Sequence, residues 1–526
     1  MDIDGAWRST CKVLLGGEIG KLSDCSGYLS GHGELSEKKT SCLSGSDVYT
    51  SMRGACKAAR FASCDELLGK DASGAFKLEE KQMRDLDSIL EAVSEQACYA
   101  GNIVLGNSSA CAKCDQCSDV HFVERSHNVS GSKYVAYSFL TRSCDHIFGS
   151  GFLGEASHLI KTFYAFRPVR CFECIRTMYS SDCYYCASLE GCTSCMFSFN
   201  LKNRNFCIGN CQLSKEKYAS LRSSLVAQIR DELSSKKKIP GIIGLFSSLP
   251  ARQAPPKQAQ AKQGNSIFDL AHHPFPRQIE EAFSSTTQLL LGRRLSNLAD
   301  YESWLARNVR MPSRFASAAS GKPLYLVPLF FSPKLSHRSI LLEECEEAGK
   351  LSLSEEQLEK LCIGNMGKLL EPLAFLTPET KSGDNFNVGE SVDYGSTMNC
   401  WAGSVYWTSK NCAYDFWIRD GECIFGSDLV FYSKFCLKCY SSNYLARCLE
   451  VSASLSCSDC YFCHNCENCH DCLFCFNAKN LKYAVGNREL PKEEYLEVKK
   501  ALLARISKQL EEKKSLKLSI YSIGCK

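Results

Sequence analysis

CSDCYFCHNCENCHDCLFC, residues 457–475, carries a cysteine at every third position without a slip. An α-helix repeats every 3.6 residues and a simple strand every 2, so neither keeps one face in phase with this run. What does keep it is a solenoid whose turn is a multiple of three residues, or a three-per-turn extended path. The phase extends well beyond the quoted run. Cys400, Cys412, Cys436, Cys439 and Cys448 share it, and Cys111, Cys114, Cys117, Cys144, Cys171, Cys174, Cys183, Cys186, Cys192, Cys195 and Cys207 form a second set separated only by multiples of three.

The second set exists because the chain repeats itself. Gly16 matches Gly292, SGSDVYT at 44–50 matches SGKPLYL at 320–326, and NLKNRNFCIGNCQLSKEKY from Asn200 matches NAKNLKYAVGNRELPKEEY from Asn477, all at an offset of 276 or 277. A tandem duplication imitates a homodimer, so a pseudo-twofold arrangement within one chain is expected. ARQAPPKQAQAKQGN, 251–265, has no hydrophobic period and reads as the linker. The expected divisions are an α/β module at 1–97, a cysteine-rich segment with closing helix at 98–250, a linker at 251–274, a second module at 275–385 and a second cysteine-rich segment at 386–526. The fold class is α+β.

Within the modules, KVLLG at 12–16 and PLYLVPLFF at 323–331 read as short buried strands, while residues 77–93 and 354–373 read as helices. Ser354 with Gln357 forms a capping box, and Leu353 can staple onto Leu358. Each copy ends in a helix with one apolar stripe: Tyr218, Leu221, Leu225, Ile229 and Leu233 in the first, Tyr495, Val498, Leu502, Ile506 and Leu510 in the second. Such a stripe closes its own domain or offers a dimerisation face.

Composition excludes little. The 526 residues hold 34 cysteines and a net charge of +4 with both signs interspersed, which gives no global pull toward nucleic acid or anionic membrane. The N-terminus opens acidic, and no stretch approaches the roughly 20 apolar residues of a membrane span, so a cytoplasmic location with reduced thiols is the expectation. No Gly-rich phosphate loop, Gly-x-Ser-x-Gly elbow or Ser, His and Asp constellation can be argued, so the chain reads as leaning away from catalysis.

Five cysteine positions occur in both copies, and four of them define C-x2-C-x5-C-x2-C twice: Cys183, Cys186, Cys192 and Cys195, then Cys460, Cys463, Cys469 and Cys472. Four thiolates are the donor set of tetrahedral zinc, so Zn2+ is the candidate metal at these eight residues. The competing readings are reduced thiols packed as small hydrophobes, disulfides and an iron-sulfur cluster, the last lacking a C-x2-C-x2-C-x3-C-P run. Packing is favoured where the first copy replaces Cys457, Cys466 and Cys475 by Ser180, Leu189 and Ser198. His121, His464 and His470 interleave with cysteines and read as exposed polar fillers, as do His272 and His273 near the linker.

CSDCYFC and CLFCFNAKNLKYAVGNRELPKEEY resemble the terminal signature of uncharacterised cysteine-rich, zinc-ribbon-like proteins of uncultured bacteria and archaea, in which C-x2-C blocks lead into an Asn-Lys-x-Tyr loop and a Lys-Glu-Glu-Tyr helix start. The resemblance covers roughly the last 120 residues and more loosely the first copy. It implies a cysteine-rich repetitive domain, carries no known activity and transfers no catalytic residue. The functional expectation is a non-enzymatic structural, assembly or protein-interaction protein. The alternatives are a zinc-dependent RNA- or DNA-binding protein using the NLKNRNFC and NAKNLKY loops, and a metal or redox enzyme.

Overall fold

The computed structural model describes residues 1–31, 33–69, 76–251 and 275–525. All of the linker except Ala251, together with His272 and His273, lies outside the described residues. Helices and sheets are mixed as in an α+β protein, with two large sheets of 16 and 14 strands, one in each half. No described helix is long and apolar enough to cross a membrane.

Each large sheet is a parallel ladder in which a residue pairs with the one 12 positions later. In the first half Lys133 pairs with Asp145, Asp145 with Ser157, and Ser181 with Thr193. In the second, Glu422 pairs with Lys434, Ser458 with His470, and His470 with Lys482. Twelve residues are four triplets, and backbone dihedrals explain the triplet. In one repeat, Asp182, Tyr185, Ser188 and Gly191 have φ of 55°, 52°, 56° and 62°, so the chain turns through the left-handed region at every third residue.

A left-handed L residue costs about 1–2 kcal/mol, and Asn, Asp and Gly tolerate it best. Here Tyr and Phe occupy such corners as well, because ladder hydrogen bonds on both sides over-determine the backbone. Phe462, for instance, donates its N–H to Leu449 O, and Phe474 to Tyr461 O, each at 3.0 Å. The residue after each corner points inward. The inward residues form two separate buried clusters, one per ladder, made of cysteine with Val, Leu, Ile and Ala.

Four long helices lie against the ladders: α1 (Ile3–Leu15), α2 (Lys215–Lys236), α3 (Arg277–Leu291) and α4 (Lys492–Lys513). The strand expected at 12–16 is instead the end of α1. Asp2 caps it by accepting from Gly5 N, Gly16 closes it at φ 71°, and Trp7, Cys11, Leu14 and Leu15 are its buried face. PLYL forms a strand at Pro323–Leu326, but the residues after it do not continue it. The helix expected at 354–373 breaks into Glu355–Lys360 and Met366–Leu370, with the Ser354 capping box intact. In α2 and α4 the expected stripes are turned inward: Tyr218, Leu225, Ile229, Leu233, Tyr495, Leu502, Ile506 and Leu510 are buried.

The two halves exchange parts. Residues 42–69 and 76–101 of the first half pack on the ladder of the second, and residues 318–377 of the second half pack on the ladder of the first. Leu78 N donates to Gly486 O and Leu353 N to Gly209 O, both at 2.9 Å. Asn477 Nδ2 donates to Cys98 O at 2.9 Å, and Asn200 Nδ2 to Phe375 O at 3.0 Å. Both partners of the last two bonds are related by an offset of 277, so the contacts obey the internal repeat. In space each module is therefore split: α1 and α3 stay on their own ladders while the following 60 residues or so cross over.

A second pair of matching contacts fastens the segments after α2 and α4. Glu173 accepts from Tyr28 Oη and Ile242 N, beside Lys161 Nζ at 3.5 Å. Glu450 accepts from Ser519 Oγ and Ile520 N, and the nearby Lys438 Nζ donates to Trp304 O and Arg307 O. Burial draws the Lys438 ammonium down to about 8.

Candidate functional site

The eight cysteines singled out for zinc are all fully buried inward residues. The 12-residue turn decides how they are arranged. Cys183 and Cys195 are direct partners in adjacent turns, as are Cys460 and Cys472, so these pairs stack along the ladder. Cys186 and Cys192 stand on two other sides of the turn, three and nine residues on from Cys183. Among the described residues no group of three or more Cys, His, Asp or Glu is arranged to hold a metal ion.

The thiols have other partners. Cys186 Sγ lies 3.3 Å from Tyr184 O and 3.4 Å from Cys195 O; Cys463 Sγ lies 3.5 Å from Tyr461 O and 3.6 Å from Cys472 O. The same two acceptors, two residues before and nine after, recur for Cys192, Cys460, Cys469 and Cys472. These carbonyls are the acceptors a protonated thiol would use. Burial pushes the Cys174, Cys186, Cys439 and Cys475 thiols well above their ordinary range, whereas hydrogen bonds from neighbouring thiols lower Cys192 and Cys469 and outweigh burial at Cys463.

Serine at the inward positions makes the same bond. Ser138, Ser150, Ser180 and Ser198 each donate to the carbonyl two residues before at 2.9–3.1 Å, for example Ser198 Oγ to Met196 O at 2.9 Å. Each also accepts the N–H of the residue 12 later, as Ser180 Oγ does from Cys192 N at 3.1 Å. Inward positions thus take thiols and hydroxyls that can donate to a carbonyl, alongside apolar Val, Leu, Ile and Ala. The arrangement as it stands does not fit an all-thiolate zinc site.

The histidines divide. His470 is exposed, with Nδ1 2.8 Å from Ser458 Oγ, and His121 is half-buried beside Ser109 Oγ. His464 is not an exposed filler. It is buried, accepts Ala100 N–H on Nε2 at 3.1 Å, and therefore donates from Nδ1 to Ser452 Oγ at 2.8 Å. Tyr99 and Phe476 pack edge-on and tilted against its ring. Burial alone brings its pKa down to about 3. Sequence reading missed it because its partner lies 364 residues away.

The surface feature that distinguishes the halves is a groove of about 610 Å3 between α3 and α4. Its floor includes Leu291, Leu503 and Ala504, and Leu496 at its edge is 46% exposed. Arg293, Lys500 and Lys508 stand exposed around it. In the first half the same place is filled. The Arg230 side chain lies across Gly16 and Gly17, within 3.0 Å of where a Cβ on Gly17 would be, whereas nothing lies within 4 Å of Gly292. The residue matching Arg230 at offset 277 is Ser507, whose hydroxyl turns inward to Leu291 O. The signal was present in the sequence as that single Arg to Ser difference.

Comparison with family models, curated proteins and solved structures finds no match to this chain.

Proposed function

We propose that this is a non-enzymatic assembly or protein-interaction protein built on two pseudo-symmetric cysteine-rich β-solenoid rods, with the groove between α3 and α4 as its docking site. The observation that carries the reading is the groove's asymmetry. One half closes the site with Arg230, and the other leaves it open with an apolar floor and a basic rim. A floor of Leu and Ala favours an apolar helix face, read at i, i+3, i+4 and i+7, and Lys500 and Lys508 on the rim favour acidic flanks on that helix, Arg293 there being paired with Glu511 at 3.5 Å. The partner class is thus a protein presenting an acidic amphipathic helix. In this reading the interior thiols are protonated packing groups that let three-residue sides stack tightly, and the rods serve as rigid supports.

The test is a fluorescence-polarisation titration with two labelled helical peptides of equal Leu content, one flanked by Glu and one by Lys. The reading expects the Glu peptide to bind, to weaken roughly tenfold or more when Leu496→Glu and Leu503→Glu are combined, and to weaken with salt. Equal binding of both peptides, or binding that ignores the substitutions, would refute it.

A second reading, nucleic-acid binding through the repeated Asn-Lys loops, has one observation in its favour: Lys202, Asn203, Arg204, Lys479, Asn480 and Lys482 are exposed at matching places. Against it, Lys202 is paired with Glu190 and Lys479 with Glu467, each one turn earlier in its ladder. A single-stranded RNA titration that showed steep salt dependence would favour this reading over the first.

A further inference from the structure

Two cysteines outside the ladders sit apart from the period of three. Cys42 follows the strand Glu37–Thr40, and its N–H is held by Phe61 O at 2.8 Å. Cys98 immediately precedes the strand Tyr99–Gly101. Their sulfurs are 3.4 Å apart, with Cys42 exposed and Cys98 buried. The pair belongs to the first half alone: the matching positions in the second are Ala318 and Phe375, which pack with Ile340 in a small apolar cluster.

The same exchanged segment already contains the disulfide Cys56–Cys525, which joins it to the end of the chain. The corresponding contact in the other half, between Ile242–Ser248 and Ser332–Leu335, contains no cysteine. The disulfide and the close cysteine pair therefore lie on the same clasp, while the other exchanged segment carries the free Cys345 and Cys362.

We propose that Cys42 and Cys98 form a redox-active dithiol that exchanges with low-molecular-weight disulfides and, when oxidised, closes a loop within the exchanged segment. Cys42 is the entry point because it alone is reachable. Its thiolate attacks one sulfur of the disulfide RSSR, forming a Cys42–S–S–R mixed disulfide and releasing RS−. Cys98, 3.4 Å away, then loses its proton and attacks Cys42 Sγ, breaking the mixed bond, forming Cys42–Cys98 and releasing the second RS−. Two protein thiols are oxidised, one external disulfide is reduced to two thiols, and the two cysteine protons go to the leaving groups.

The link has a structural consequence. Cys98 O accepts Asn477 Nδ2, and Tyr99 donates its hydroxyl to Ile520 O at 2.7 Å, so the backbone next to Cys98 is bonded directly to the second half. Tying it to Cys42 restricts how that backbone can leave. This inference is independent of the docking groove, since neither cysteine lies near it.

The experiment treats the full chain with oxidised glutathione over a time course, quenches with acid, alkylates, and maps disulfides by mass spectrometry. The expected result is a transient glutathione adduct on Cys42, followed by a Cys42–Cys98 cross-link with loss of two thiols, reversed by dithiothreitol. Cys98→Ser should stop at a stable Cys42 adduct, and Cys42→Ser should leave Cys98 unreacted. Melting curves confirm that both variants fold, and the wild-type cross-link is read without them. A persistent Cys42 adduct in the wild type, or no reaction at Cys42, would overturn the proposal.

Discussion

The two ladders share one backbone plan and fill it differently. In the first, one inward column runs Ser126, Ser138, Ser150, Thr162, Cys174, Cys186, Ser198; in the second, the column at offset 277 runs Gly403, Asp415, Ser427, Cys439, Val451, Cys463, Cys475. Hydroxyl and thiol alternate freely where both donate to the carbonyl two residues back. Even Asp415 is accepted: it takes Ser427 N–H at 2.7 Å, and burial pushes its carboxyl well above the usual range. What these positions share is limited size, with a backbone contact wherever the side chain is polar. The clasps differ in the opposite sense, with Tyr99, His464 and cysteines on one and Leu376, Ala187 and apolar packing on the other.

The largest effect should come from that second contrast. Tyr99 is fully buried and bonded to Ile520 O and Gly524 N, so Tyr99→Ala should cost about 3–5 kcal/mol by denaturant unfolding. Its counterpart Leu376→Ala, which removes a smaller side chain with no polar bond, should cost less, about 2–4 kcal/mol. Equal losses would mean that the clasps are energetically equivalent despite their chemistry.

Acid should act next, through His464. His464 titrates near 6.5 when unfolded and at about 3 when folded, so the unfolded chain takes the proton first. The stabilisation is fully present above pH 6.5 and declines as pH falls toward 3, by about 1.4 kcal/mol per unit. Melting temperatures of wild type should drop more steeply between pH 6.5 and 4 than those of His464→Ala, which copies Ala187. Parallel pH profiles would contradict the buried neutral imidazole.

Interchange within the columns should matter less. Cys186→Ser and Ser198→Cys keep size and donor, and each should shift stability by about 1 kcal/mol or less. A much larger loss on Cys186→Ser would return the thiolate reading to the front. The smallest effect belongs to the exposed outer ladders: Glu422→Ala, which breaks the pair with Lys434 at 3.0 Å, should change stability by about 0–1 kcal/mol.

The period of three and the offset of 276 or 277 were legible because both are repeated many times along the chain. The turn length of 12 was not, since multiples of three fit several coils and the choice rests on inter-turn pairing. The left-handed corners were hidden for a related reason. Residues such as Tyr185, Phe462 and Phe474 adopt φ of 52–56° against their local preference, under the force of the ladder. α1 was misread at 12–16 because KVLLG looks like a strand in isolation, although Asp2, Gly16 and the spacing of Trp7, Cys11, Leu14 and Leu15 carried a complete helix signal. The exchange of segments left no local trace, because its contacts join residues hundreds of positions apart.

The most direct test of the central claim, that the inward cysteines pack as thiols, is elemental analysis paired with a thiol count in denaturant. The protein would be anaerobically reduced and then freed of reductant without chelator. The account predicts that at least the 32 cysteines outside the Cys56–Cys525 pair react, with no stoichiometric zinc or iron. About two zinc ions per chain, lost on chelation together with stability, would contradict it and place metal at the quartets of Cys183 to Cys195 and Cys460 to Cys472.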